Sequence, residues 1–250
     1  MTSLEQRRDR IVAGCVGDRR AADRGSAGAG MKGAVISLFD LTGNMARPWA
    51  EAGYECWCVD IQHHIRKPRT ERLLHFVWGD VRTFRRPTEK PIVFVCCQPP
   101  CTDTAVCGAR DFRVKGGMML CDAIELLEAD RKIGYWSGAP WMLEQPVTML
   151  SSISHIGKPD HYFHPWEYSG HCESDNYTKK TCIWCGNGFV MPPPCPAPHL
   201  GTPDNRIHFA SPSDDRGDIR SEAPLGFARA VFLANAPHLK EAQRCEAAAE

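Results

Sequence analysis

Six consecutive apolar residues, Ile92-Val93-Phe94-Val95-Cys96-Cys97, run straight into Gln98-Pro99-Pro100. A continuous apolar run of this length, without polar alternation, predicts a strand buried on both faces, as in a parallel sheet. Proline has no N–H to give to a strand ladder, so the strand must stop at the Pro-Pro pair. Cys101 is therefore expected at the carboxyl end of a central strand, the edge at which open α/β sheets bind their ligands. A thiol there, followed by the small polar loop Thr102-Asp103-Thr104-Ala105, is placed like a nucleophile, although cysteine also serves widely as a small core residue.

The rest of the chain repeats this pattern. Ala34 to Phe39 reads as a strand ending at Asp40-Leu41-Thr42-Gly43, and Pro48 and Gly53 suit the start and end of a short helix. Cys56 to Val59 is a second strand ending at Asp60, and Leu74 to Trp78 is a third ending at Gly79-Asp80. Met118 to Ala129 has helical spacing, with Leu120, Ile124 and Leu127 on one side and Met119 and Ala123 beside them as core residues. Trp141-Met142-Leu143 is a fifth strand ending at Glu144-Gln145-Pro146, and Lys180 to Trp184 is a sixth. Strands alternating with helices predict an α/β fold with a doubly wound, mostly parallel sheet. Asp40, Asp60, Asp80, Cys101 and Glu144 then share one sheet edge. Asp60 follows Asp40 at the spacing at which a dinucleotide-type unit places a carboxylate on a ribose hydroxyl, but the turn between them has one glycine rather than a GxGxxG fingerprint.

Residues 1–30 are rich in Arg, Asp, Gly and Ala and are expected to be a disordered extension. Residues 31–185 form the expected main domain, 186–220 a Pro-rich loop, 221–236 a C-terminal helix capped by Ser221, and 237–250 a frayed tail. Formal net charge is zero, so overall charge gives no case for a nucleic-acid partner, although a local basic face would suffice. No run reaches membrane-span length and no signal peptide is legible, so the thirteen cysteines are expected to be reduced thiols of a cytoplasmic protein. Cys172, Cys182, Cys185 and Cys195, beside His171, contain half of a paired zinc signature, while Cys182 also falls inside a predicted strand; metal ligands are not assigned.

In this order the residues resemble the DNA (cytosine-5) methyltransferases, particularly short members from phage and prophage genomes. Phe39-Asp40-Leu41-Thr42-Gly43 is similar to the motif that cradles the methionine part of S-adenosylmethionine. Asp60, with Ile61, matches the ribose ligand, and Asp80, with Val81, the adenine contact. Pro99-Pro100-Cys101 matches the catalytic motif, with Pro99 on the cofactor side, and Glu144-Gln145-Pro146 resembles the Glu-Asn-Val/Pro motif. Tyr177-Thr178-Lys179-Lys180-Thr181 stands where the family has Gln-x-Arg-x-Arg. Gly226 to Val231 resembles a terminal helix motif returning to the cofactor, which would bring Ala228 and Val231 to it. The resemblance spans residues 34–236. It departs at Gln145, where the family has Asn, and at the lysines that replace arginine. Only about forty residues separate Thr181 from Pro224, so the usual target-recognition domain is expected to be minimal or absent.

The resemblance implies a Rossmann-like fold, S-adenosylmethionine as cofactor and a cytosine flipped out of DNA, duplex or single-stranded, as substrate, handled by a monomer away from membranes. Cys101 would add to C6 and Glu144 would protonate N3, with Lys179 or Lys180 holding the base or a phosphate. Arg110, Arg113 and Lys115 could follow a phosphate backbone or be ordinary surface charge. Transfer to RNA or to a free cytidine nucleotide, transfer of a group other than methyl, and a non-catalytic zinc-bearing nucleic-acid module remain alternatives.

Overall fold

The computed structural model describes residues 32–63, 69–207 and 220–240. In chain order these form β1 (Ala34–Leu38), α1 (Arg47–Glu51), β2 (Glu55–Val59), β3 (Arg69–Glu71), β4 (Leu74–Val77), β5 (Ile92–Cys97), α2 (Phe112–Ser137), β6 (Trp141–Pro146), β7 (His161–Phe163), β8 (Thr181–Gly186) and α3 (Leu225–Asn235). The strands make one sheet in the order β3-β4-β2-β1-β5-β6-β8-β7. The five strands from β4 to β6 are mutually parallel, β8 runs antiparallel between β6 and β7, and β3 is an antiparallel edge.

Strand alternation explains the two-sided core. Val35, Cys56, Cys58, Phe94, Cys96, Met142 and Ile183 pack on one face beneath α1 and α3, with Trp49 and Phe227 supplied by those helices. Ile36, Leu38, Val95, Cys97, Leu143, Cys182 and Trp184 pack on the other beneath Leu127 of α2. Every residue of β1 is buried, and so are the last four of β5, as uninterrupted apolar runs require. Burial raises the thiols of Cys56, Cys58, Cys96 and Cys97, so they are protonated core residues. One polar residue breaks the pattern. Asp130 of α2 is fully buried and neither carboxylate oxygen has a hydrogen-bond partner, so its carboxyl is pushed well above the ordinary range by desolvation.

The α/β class and mostly parallel sheet agree with the sequence expectation, and several details differ. Strand β6 does not stop at Leu143 but continues through Glu144 and Gln145 to Pro146, because its outer edge pairs with β8 along that length. The three-residue strands β3 and β7 were not foreseen. In place of regular alternating helices, the described residues hold a short 3-10 turn and β3 between β2 and β4, and a short 3-10 turn between β4 and β5. Met119 is 40% exposed and Met118 73%, so neither is core. Gly116, at φ 75°, breaks the first turns of α2 away from the packed body. Ser221 does not cap α3. Asp175 reaches across from another loop, its Oδ2 accepting from the Gly226 N–H at 2.6 Å. Residues 237–240 are docked rather than frayed, with Leu239 against the core and Tyr54 Oη 2.7 Å from His238 Nδ1. The expected extension 1–30 and the last residues, 241–250, lie outside the described residues, as does part of the Pro-rich segment.

Candidate active site

The chain leaves β1 toward β2 and β4 on one side and returns through β5 and β6 on the other, so the strand order reverses between β1 and β5. The crevice outside the carboxyl ends of those two strands is where such a sheet binds ligands. One wall is the turn after β1. Phe39 takes φ 57°, uncommon for a residue with a side chain, and Gly43 takes φ 73°. The turn is closed by Asp40, which accepts from Ser37 Oγ at 2.7 Å and from the Gly43 N–H at 2.6 Å, with Thr42 Oγ1 at 3.3 Å. Asp40 is buried and its carboxyl is raised by desolvation against those hydrogen bonds. It is a scaffold for the turn rather than an exposed ligand group.

Beyond β2, Asp60 is buried and accepts from the Gln62 N–H at 2.7 Å, while Ile61 stays 48% exposed. Beyond β4, the Arg82 guanidinium lies against both oxygens of Asp80, Nη2 to Oδ2 being 2.7 Å, and holds that carboxyl below its usual range. Val81 is buried in the core beneath α2. Trp78, at the end of β4, is 59% exposed. Two buried side-chain nitrogens at this edge, His63 Nε2 and Gln98 Nε2, have no hydrogen-bond partner. Burial lowers the His63 imidazole below its ordinary range, so the ring is neutral. Among the residues the resemblance assigned to the cofactor, Ala228 and Val231 are, like Val81, buried in the core, and being completely buried they offer a ligand no side-chain surface.

The other wall is the loop Gln98 to Ala105. The Gln98 N–H donates to the Leu38 carbonyl, and the N–H groups of Thr104 and Ala105 both donate to the Cys101 carbonyl, at 3.1 and 2.8 Å. Cys101 is half-buried, unlike the four core thiols of β2 and β5, and is not in a disulfide. Gln145, almost completely buried, donates from Nε2 to the Pro99 carbonyl, and Thr148 Oγ1 donates to the Thr104 carbonyl at 3.0 Å. Glutamine in place of asparagine therefore still supports the Pro-Pro-Cys loop. The longer side chain spans from β6 to its neighbour.

Glu144 stands on β6 beside that loop, 7% exposed, and Lys179 Nζ is 3.6 Å from its Oε1. Lys180 is exposed and lies over the Tyr162 ring at 5.0 Å, so of the two lysines Lys179 is the one against Glu144. Two residues not legible in the sequence lie behind Lys179. Asn44 Nδ2 donates to Glu222 Oε1 at 2.9 Å and to the Ala223 carbonyl at 3.2 Å, while Lys179 Nζ is 3.5 Å from the Glu222 carbonyl. No spacing rule joins residues 178 apart, so only the fold could reveal the pair. Nearby, Asp175 is pushed up to about 6 by burial, and the buried Tyr177 hydroxyl is raised by desolvation and by the surrounding carboxylates.

Arg110 and Arg113 are exposed before and within the first turn of α2, which also carries Lys115. Cys182 packs on one sheet face and Cys185 on the other, so this C-x2-C pair cannot close on one ion. Among the described residues no cluster of three or more His, Cys, Asp or Glu could hold a metal, and no helix is long and apolar enough to cross a membrane. What the geometry defines is an α/β protein with a thiol and a carboxyl–ammonium pair on one sheet edge, beside the point where the strand order reverses. No protein-family model and no curated protein matches the chain.

Proposed function

We propose that this chain is an S-adenosylmethionine-dependent methyltransferase acting on C5 of cytosine in DNA. The observation that carries the reading is that Gln145 of β6 donates to the Pro99 carbonyl and so fixes the Cys101 loop against the strand that carries Glu144, with Lys179 against that carboxyl. A binding module has no use for a half-exposed thiol beside a buried carboxyl–ammonium pair.

The residues of the crevice fit the cofactor. Ile61 and Trp78, exposed after β2 and β4, offer apolar surface for an adenine, and Asp60 immediately precedes Ile61. The unpartnered Gln98 Nε2 supplies a donor for a methionine carboxylate. The turn from Phe39 to Gly43 brings backbone close: a Cβ on Gly43 would come within 3.0 Å of the Phe76 ring. Bound there, S-adenosylmethionine supplies an electrophilic methyl group on a sulfonium.

Cytosine C5 is a poor nucleophile, and the chain's own residues change that. The Cys101 thiolate forms a bond to C6 while Glu144 delivers its proton to N3, so no full charge builds on the ring. C5 becomes enamine-like and takes the methyl group. A water takes the C5 proton, the N3 proton returns to Glu144, and cleavage of the Cys101–C6 bond gives back the aromatic ring and the thiolate. Lys179 holds the Glu144 carboxyl in place for this exchange. A cytosine within a duplex must be flipped out to reach the loop. The test is incubation with labelled S-adenosylmethionine and duplex DNA, single-stranded DNA, RNA or dCMP, followed by digestion. The reading predicts label in 5-methylcytosine from DNA. Label in another base, or none with any acceptor, overturns it.

A further inference from the structure

We propose that Glu222 is a positioning residue that couples the crevice at the end of β1 to the Glu144–Lys179 pair, so that cofactor and cytosine each strengthen the binding of the other. The proposal rests on the methyltransferase reading and goes beyond it, because neither Glu222 nor Asn44 belongs to any motif that suggested that reading.

The link is continuous. Thr42 Oγ1 donates to Asp40 and accepts from the Asn44 N–H at 3.2 Å, so Asn44 is fixed by the same turn that lines the cofactor crevice. Its side-chain amide, 7% exposed, spends both recorded donations on the segment 222–223, one to the Glu222 carboxylate and one to the Ala223 carbonyl. From the other side, the Lys179 ammonium is held between the Glu222 carbonyl at 3.5 Å and Glu144 Oε1 at 3.6 Å. Lys179 is 8% exposed, so water cannot readily replace either partner. A shift of the Asn44 turn therefore reaches the acid that faces the base.

The segment cannot absorb such a shift by sliding along α3. Gly226 is anchored through its N–H to Asp175, and a Cβ there would collide with the Tyr168 carbonyl oxygen, so the helix start is in tight contact with its support. Phe227 is stacked on Phe163 at 3.8 Å between ring centroids. The segment 222–223 sits between an anchored helix start and the turn of Thr42 and Asn44. A ligand that orders Thr42 and Asn44 thus also orders Lys179, and the coupling is reciprocal by thermodynamic necessity.

The test uses the full chain and calorimetric titration with S-adenosylhomocysteine, alone and with a saturating single-stranded oligonucleotide containing cytosine. The wild-type chain is expected to bind S-adenosylhomocysteine about fivefold or more tightly when the oligonucleotide is present, the lower end of ordinary coupling. Glu222→Gln keeps the acceptor for Asn44 and retains the effect. Glu222→Ala binds S-adenosylhomocysteine alone about as tightly as wild type and melts within about 2 °C of it, since a half-buried surface side chain is removed. Its coupling falls below about twofold. Asn44→Asp, which sets a carboxylate against Glu222, gives the same loss from the other side. Wild-type coupling retained in Glu222→Ala, or lost equally in Glu222→Gln, overturns the proposal and leaves the methyltransferase reading standing. A wild-type chain that binds neither ligand removes both.

Discussion

Replacing Asp130 with leucine should make the protein more stable. Its carboxyl is fully buried between α2 and the sheet, beside Cys97, with neither oxygen partnered. Leucine has the same γ-branched outline, and the neighbours, including Leu127 and Ile133, are apolar. Removing an unpartnered buried polar group is worth about 1–3 kcal/mol. Leucine is also the better helix former, by about 0.5 kcal/mol. A gain of about 2 kcal/mol corresponds to a Tm rise of about 4–8 °C in a chain of this size. The pH dependence gives a second readout. The folded-state carboxyl is raised well above the unfolded one, so the native state holds a proton that the unfolded chain releases near pH 4. This group's contribution is therefore complete below about pH 4 and is lost as pH rises, by about 1.4 kcal/mol per unit until the native carboxyl itself ionises. Urea denaturation of wild type, Asp130→Leu and Asp130→Asn between pH 4 and 8 measures it. Both variants should lose that slope relative to wild type, and only leucine should gain the desolvation energy. A destabilised Asp130→Leu, or an unchanged slope, would mean that the carboxyl is ionised and has a partner.

Gln145→Ala should leave the Pro99 carbonyl without its donor, costing about 1–3 kcal/mol of stability. It should reduce kcat at least tenfold while the calorimetric Kd for S-adenosylhomocysteine changes little, because the support it removes lies on the Cys101 side. Gly226→Ala should cost about 1–3 kcal/mol by overpacking, seen as a lower urea midpoint, since its Cβ would meet the Tyr168 carbonyl. Methylation mapped at single-base resolution on a long random substrate should follow a context of about one to three bases and fall steeply with salt, and single-stranded DNA should serve at least as well as duplex. A single longer duplex-only site would mean that the reading surface lies elsewhere.

The parallel core was legible because its strands are uninterrupted apolar runs that stop at charged or proline residues. Ile92 to Cys97 is the clearest, and it places Cys101 directly. The body of α3, Leu225–Asn235, was legible too, but its start was misread at Ser221, because the Gly226 N–H is met by Asp175 from a distant loop. Strands β3 and β7 escaped notice because three residues carry no period. The continuation of β6 through Glu144 was hidden because it depends on β8 alongside, not on the residues themselves. The same limit applies to the site. Strand-end groups could be read one by one, but Asn44 and Glu222 acquire their roles only through tertiary contact. Ala228 and Val231 lie on the motif that suggested them and on the helix face that the core consumes.

The central claim is a covalent bond between Cys101 and cytosine C6 during methyl transfer. It is tested most directly with an oligonucleotide in which the target cytosine carries fluorine at C5. After the methyl group is added, no proton remains on C5 to be lost, so elimination of the thiol is blocked and the adduct persists. Incubation with S-adenosylmethionine, followed by intact-mass and peptide analysis, should yield a stable protein–DNA species with the added methyl group, attached at Cys101 and absent in Cys101→Ser. Attachment at any other residue, or turnover of ordinary cytosine by Cys101→Ser at the wild-type rate, would contradict the account.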